Sequence, residues 1–119
     1  MIDDYRKKWK NPDIPFYWVQ LSSIDTITYK SQHWPEFRNE QRLLLNDLKN
    51  GGMAVCSDIG LKNDVHPTNK KDVGERLARW ALNKTYQQNI IPSGPLPLTA
   101  TYSNGKLIIS FQYVAKGLK

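Results

Sequence analysis

Two short apolar runs without alternation, PFYWVQL at 15–21 and MAVCSD at 53–58, constrain this chain more than anything else in it. A strand that is apolar on successive residues must be covered on both faces, as in a parallel sheet between helices. Each run leads into a helical pattern. After the first, WPEFRNEQRLLLNDLKNGG carries Pro35 where a first helical turn tolerates it. It also places Trp34, Phe37, Leu44 and Leu48 near helical spacing, with Gly51-Gly52 as a stop. After the second run, NKKDVGERLARWALNKTYQ follows an N-cap at Thr68 and sets Val73, Leu77, Trp80, Ala81 and Lys84 at three- and four-residue steps. That stripe should lie on the sheet, with Gly74 as a point of close backbone approach.

Strand, helix, strand, helix at these lengths is a βαβα unit with parallel strands and a right-handed crossover. Two strands are too few for such a sheet to stand alone. The fold class is therefore α/β, a partial doubly wound parallel sheet of the flavodoxin-like kind, read as one end of a larger domain. The polar connection SSIDTITYKSQH after the first strand has a length that is more often functional than accidental. Beyond IIPSGPLP the character changes. LTATYSNGKLIISFQYV holds Asn104-Gly105 between two β-rich runs, a strong hairpin signal. Residues 1–91 are thus read as the α/β part, and 92–119 as the start of a β-rich domain.

Composition narrows the partners. A chain of 119 residues, 39% apolar and 24% charged, is the size of one ordinary domain and lies away from the signature of disorder. Seventeen Lys and Arg against eleven Asp and Glu give +6, but the basic residues are spread along the chain. Solubility accounts for them first, and nucleic acid is an unfavoured partner. Cys56 is the sole cysteine; within an apolar run it reads as a buried, inert thiol. No run approaches the roughly 20 apolar residues of a membrane span, and MIDDYRKKWK is too polar for a signal peptide.

Chemistry gathers in the loop SDIGLKNDVHPTN between the second strand and its helix. Open α/β proteins act beyond the carboxyl ends of their strands, so this loop is the place to look. His66 precedes Pro67, which keeps it out of the helix. Its side chain titrates near neutrality and can serve as a general base. Asp64 can hold the ring through Nδ1 and stabilise the imidazolium. A loop histidine bonded to the helix end is the alternative reading from residue types alone. Asp58 is the rival orienter of His66, acting from behind it, although a role in tying down the loop is favoured for it. Ser22, Ser23 and Ser57 lack the Gly-flanked turn that presents a nucleophile. His33 reads as a helix-start residue. No spaced set of further ligands supports a metal, and no Gly-rich loop supports a phosphate cofactor.

Taken together, PFYWVQL, WPEFRNEQRLLL, GMAVCSDIG and NDVHPTNKKDVGERLARWAL resemble the closing section of the catalytic domain of sialate O-acetylesterases, within the SGNH hydrolase superfamily. The resemblance runs from about the N-terminus to Ile91, and the hairpin segment looks like the β-rich part that follows. D-V-H-P followed by N-K-x-x-V-G-x-R-L is its specific part. It implies removal of O-acetyl groups from sialic acid or related sugars through a serine nucleophile, an acyl-enzyme and a histidine base. His66 matches the catalytic histidine, and Asp64 the acid beside it. No cofactor is implied, and full-length relatives are expected to be secreted or periplasmic.

Two departures follow from the same comparison. Many SGNH enzymes place the acid three residues before the histidine, a position held here by Asn63. The family's nucleophile and oxyanion-hole residues come from upstream motifs, and no G-D-S or G-Q-S stretch occurs in this sequence. The expected partners are an acetylated carbohydrate, handled by the complete enzyme, and the missing N-terminal part of the catalytic domain, or else self-association through the open sheet. A non-catalytic basic module for acidic glycans or nucleic acid is the alternative function.

Overall fold

The computed structural model describes residues 1–25, 27, 30 and 32–117. In chain order the elements are α1 (Ile2–Lys8), β1 (Phe16–Val19), α2 (Trp34–Asp47), β2 (Gly51–Ala54), α3 (Lys70–Lys84), β3 (Leu96–Ser103) and β4 (Lys106–Gln112). β1 and β2 pair in parallel, from Phe16 opposite Gly51 to Val19 opposite Ala54. The βαβα unit and the separate antiparallel hairpin expected from the sequence are both present. In the connection 22–33, residues 26, 28, 29 and 31 lie outside the described residues, as do 118 and 119 at the end of the β-rich segment.

The second strand begins two residues before the expected Met53 and ends at Ala54. Gly51 and Gly52 are therefore not a helix stop. They belong to the strand because indoles crowd it. A Cβ at Gly51 would stand 3.1 Å from the Trp18 ring and 3.0 Å from Leu48 O; one at Gly52 would stand 2.7 Å from the Trp80 ring. Consecutive strand residues point to opposite faces, so each glycine makes room on its own side. α2 ends without a glycine: Leu48 turns extended and Asn50 takes a positive φ of 58°. The first strand is likewise shorter than the apolar run that announced it.

α3 starts one residue later than expected. Asn69, not Thr68, is its cap, accepting from Asp72 N at 3.1 Å and donating to Asp72 Oδ2 at 2.8 Å. Trp80 is the buried member of its apolar stripe, and its Nε1 donates to Met53 O at 2.8 Å. Gly74 does not lie at a close approach: nothing stands within 4 Å of where its Cβ would be. Met53, Ala54, Cys56, Trp80 and Leu96 form the buried apolar core. Burial pushes the Cys56 thiol up from its ordinary range, which keeps it protonated and inert.

α1 carries no buried residue, and apolar patterning gave no sign of it. Acids in its first turn and bases in its last suit the helix dipole. Arg6 fixes it to the amino ends of the strands. Its Nη2 donates to Ile14 O at 3.0 Å and to Lys49 O at 2.6 Å, and its guanidinium lies 5.7 Å from the Phe16 ring centre. At the other end of the chain, Asn104 (φ 50°) and Gly105 (φ 74°) make the two-residue turn between β3 and β4. Tyr113, just past β4, meets Trp80 edge-on at 5.8 Å and ties the hairpin's base to α3.

Candidate active site

The loop that follows β2 is fastened at both ends before it carries anything. At its start, Arg76 of α3 donates from Nη1 to Val55 O at 2.5 Å. Its two terminal nitrogens also grip the Asp58 carboxylate at 2.6 Å each. A short 3-10 turn at Ser57–Ile59 is held by this clamp. At its end, the Asn69 cap anchors the first turn of α3. Arg76 lies seven residues beyond that cap, two helical turns on, so both fastenings come from one side of α3.

The middle of the loop rests on the segment after β1. Gly60 sits so close to the Ser23 backbone that a Cβ there would meet Ser23 O at 2.1 Å. Asp25 N donates to Lys62 O at 3.0 Å, and Ser23 Oγ bonds Ser57 O at 2.7 Å. α2 joins in from the other side: Arg38 Nη2 donates to Ser57 Oγ, and Trp34 Nε1 donates to Ser22 O at 2.8 Å. The carboxyl ends of both strands are thereby one connected platform.

On this platform Asp64 and His66 come together. Asp64 Oδ1 accepts from His66 N at 2.8 Å and lies 3.0 Å from His66 Nδ1. One oxygen thus meets the backbone and the ring of the same residue, an Asx-type turn that Pro67 continues into the helix. These bonds, the backbone one first, hold the Asp64 carboxyl below the usual carboxylate range. With Nδ1–H turned to Asp64, Nε2 is left as the basic nitrogen. The histidine side chain is 81% exposed and the aspartate 52%, so Nε2 is open to an incoming group.

The other residues singled out by the sequence go elsewhere. Asp58 is engaged by Arg76, which holds its carboxyl below the usual range, and it is Asp64 that meets the His66 ring. Asp58 ties the loop to α3 through the Arg76 side chain, and its carboxyl also takes a bond from its own backbone N–H. His33 stands at the start of α2 with Nδ1 2.5 Å from Glu36 Oε2. Ser22 Oγ is buried without a partner. Among the described residues, none of the Ser22, Ser23 and Ser57 hydroxyls is bonded to the His66 ring. A cavity of about 570 Å³, lined by Met53, Asp58, Arg76, Arg79, Trp80 and Tyr113, has the Asp58–Arg76 clamp in its wall and does not include the dyad. The sequence reading carried Arg76 only as the arginine of N-K-x-x-V-G-x-R-L and gave it no role at the loop.

A histidine oriented beyond the carboxyl ends of a parallel α/β sheet stands where open α/β proteins place their ligand sites. Comparison with protein-family models and with curated proteins gives no match. Among solved structures, the chain is similar to a carbohydrate acetylesterase from Xanthomonas citri. The two share 35% identity and a TM-score of 0.85 over 95% of this chain. The chain spans 26% of that enzyme's length. The chain's fold is that of a piece of an esterase α/β domain.

Proposed function

We propose that these residues form the acid–base end of a carbohydrate O-acetylesterase. In this reading His66 is the general base and Asp64 fixes its tautomer and stabilises the imidazolium. The serine nucleophile is supplied by polypeptide outside these 119 residues. The observation that carries the reading is the Asp64 Oδ1 to His66 Nδ1 bond at the carboxyl end of the sheet. The likeness to a carbohydrate acetylesterase supports the substrate class. The D-V-H-P pattern favours O-acetylated sialic acid or a related sugar within that class.

In the reaction, Nε2 takes the proton of the serine hydroxyl as its oxygen attacks the acetyl carbonyl. The proton then passes to the departing sugar oxygen, and water repeats the sequence on the acyl-enzyme. A lone base without its nucleophile retains little, since such residues act as a unit.

The test uses a chimera in which this chain replaces the corresponding quarter of the Xanthomonas citri enzyme. Hydrolysis of p-nitrophenyl acetate by the chimera should fall by about 10³-fold or more in His66→Ala. The isolated chain should show slow turnover that His66→Ala leaves unchanged. Fast, His66-dependent turnover with a burst from the isolated chain would place the nucleophile within it and overturn the reading. Comparison of O-acetylated sialic acid with an acetylated neutral sugar on the chimera decides the sugar.

A further inference from the structure

The cavity of about 570 Å³ occupies the seam between the α/β part and the hairpin segment. Four stretches of this one chain wall it: the end of β2, α3, the 91–95 connection and the residues after β4. Its size lies in the range that takes a small organic molecule. The dyad is not among its lining residues, and the acid–base chemistry makes no use of it.

Its floor is apolar, and the polar atoms there are already engaged. Met53, Ala54 and Trp80 are buried, and Tyr113 meets the Trp80 ring edge-on at 5.8 Å. Met53 O takes the Trp80 indole, and Val55 O takes Arg76. A polypeptide segment entering here would find neither carbonyl free, and its own buried N–H and C=O groups would go unpaired. The cavity therefore suits a molecule with an apolar body better than a length of backbone.

The rim carries the charge. Arg76 is matched by Asp58 through two contacts of 2.6 Å. Arg79 is matched by no carboxylate among the described residues. Its Nε and Nη2 donate to Ile91 O at 3.0 and 2.7 Å, which fixes the plane of the guanidinium. The Nη1 hydrogens and the second Nη2 hydrogen have no partner among the described residues, and together they form a planar fork that fits a carboxylate. Arg76, Arg79 and Asp58 sum to a single positive charge, which matches a monoanion. A phosphate dianion would face Asp58 with no second free cation to offset it.

In the same wall, Tyr113 (φ 58°) and Ala115 (φ 47°) hold left-handed backbone. Bulky residues adopt it rarely, and such conformations recur at ligand clamps. We infer that this cavity is a binding site for a small monocarboxylate with an apolar body. The carboxylate sits on the Arg79 fork, and the body lies against Met53, Trp80 and Tyr113. Such a site is independent of the acetylesterase chemistry proposed above.

Titration of the chain with phenylacetate, followed by nuclear magnetic resonance, tests this. The Trp80 indole N–H signal should shift and saturate in the millimolar range expected of so small a ligand, while the Trp9 signal stays in place. Phenylacetamide keeps the body without the charge, and acetate the charge without the body; each should bind at least about 10-fold more weakly. Arg79→Gln should weaken phenylacetate by about 10-fold, leave phenylacetamide unchanged and keep the Trp9, Trp18 and Trp34 indole signals of the parent. His66→Ala should leave the titration as it is. Absence of a saturable Trp80 shift would overturn the site, and so would equal binding of acid and amide by the parent chain, a comparison that needs no variant. Dependence on His66 would move the ligand to the dyad, and shifts centred on Trp9 would reduce the binding to attraction by the basic surface; either result overturns the assignment. Calorimetry on the folded chimera should return the same affinity. Loss of binding there would make neighbouring polypeptide the occupant and overturn the assignment as well.

Discussion

Arg76 holds Asp58 with both terminal nitrogens, each 2.6 Å from a carboxylate oxygen, while the same guanidinium takes the carbonyl of Val55. One side chain thereby joins the end of β2 to the helix that resumes beyond the loop. Because the carboxylate is mostly solvent-exposed, the pair itself is a modest contributor. The carbonyl bond adds to it, since a lysine cannot serve all three oxygens in this fork geometry.

Arg76→Gln should therefore lower stability by about 1–2 kcal/mol, and Asp58→Asn by less than about 1 kcal/mol. Urea midpoints of the isolated chain measure both. A loss for Asp58→Asn equal to that of Arg76→Gln would show that the Val55 bond adds nothing.

Acid should loosen the loop. Asp58 is held below its ordinary value of 3.8 by Arg76, and Asp64 below the same value by the His66 backbone and ring. The unfolded chain thus takes up these protons at higher pH than the folded one. The stabilisation is fully present above the ordinary carboxylate range and is lost as pH falls through the depressed values. The His66 amide proton resonance, which reports the bond to Asp64, should titrate with a midpoint below 3.8. Asp64→Asn should keep the turn and abolish this titration, whereas Asp64→Ala should lose both.

Glycine substitutions should differ in sign. Gly52→Ala drives a methyl to 2.7 Å from the Trp80 ring and should cost about 1–3 kcal/mol by overpacking. Gly74→Ala meets nothing within 4 Å in an exposed helix interior and should gain about 0.5–1 kcal/mol. Thermal midpoints of the two variants against the parent decide this, and a stabilised Gly52→Ala would contradict the packing described for β2.

Gly60→Ala should act on the site more than on the fold. Its methyl would overlap the Ser23 backbone, so the loop must lift from the segment after β1. In the chimera, the expected outcome is loss of turnover with a far-UV spectrum unchanged from the parent.

Some of this architecture was legible because local chemistry and tertiary packing agree. Pro35 does open a helix, Asn104-Gly105 does turn a hairpin, and D-V-H does bring a carboxylate to a ring nitrogen, because each is decided within a few residues. The sequence misled where a distant partner decides. Gly51-Gly52 looked like punctuation because Trp80, which demands the second glycine, arrives only a helix later. Gly74 suggested a close approach, but nothing packs against it. The partner of Asp58 was hidden for the same reason: nothing local links Arg76 to it until the fold swings α3 across the loop. α1 was missed because Arg6, not an apolar stripe, secures it.

The Trp80 indole fills the volume that a side chain at position 52 would need, and it also answers the carbonyl of residue 53. These two sites are in effect a single heritable character. A lineage that trades the indole for a smaller residue releases the glycine to drift and uncovers a carbonyl at once. Descendants of this fold should therefore change the glycine only where the indole has already gone.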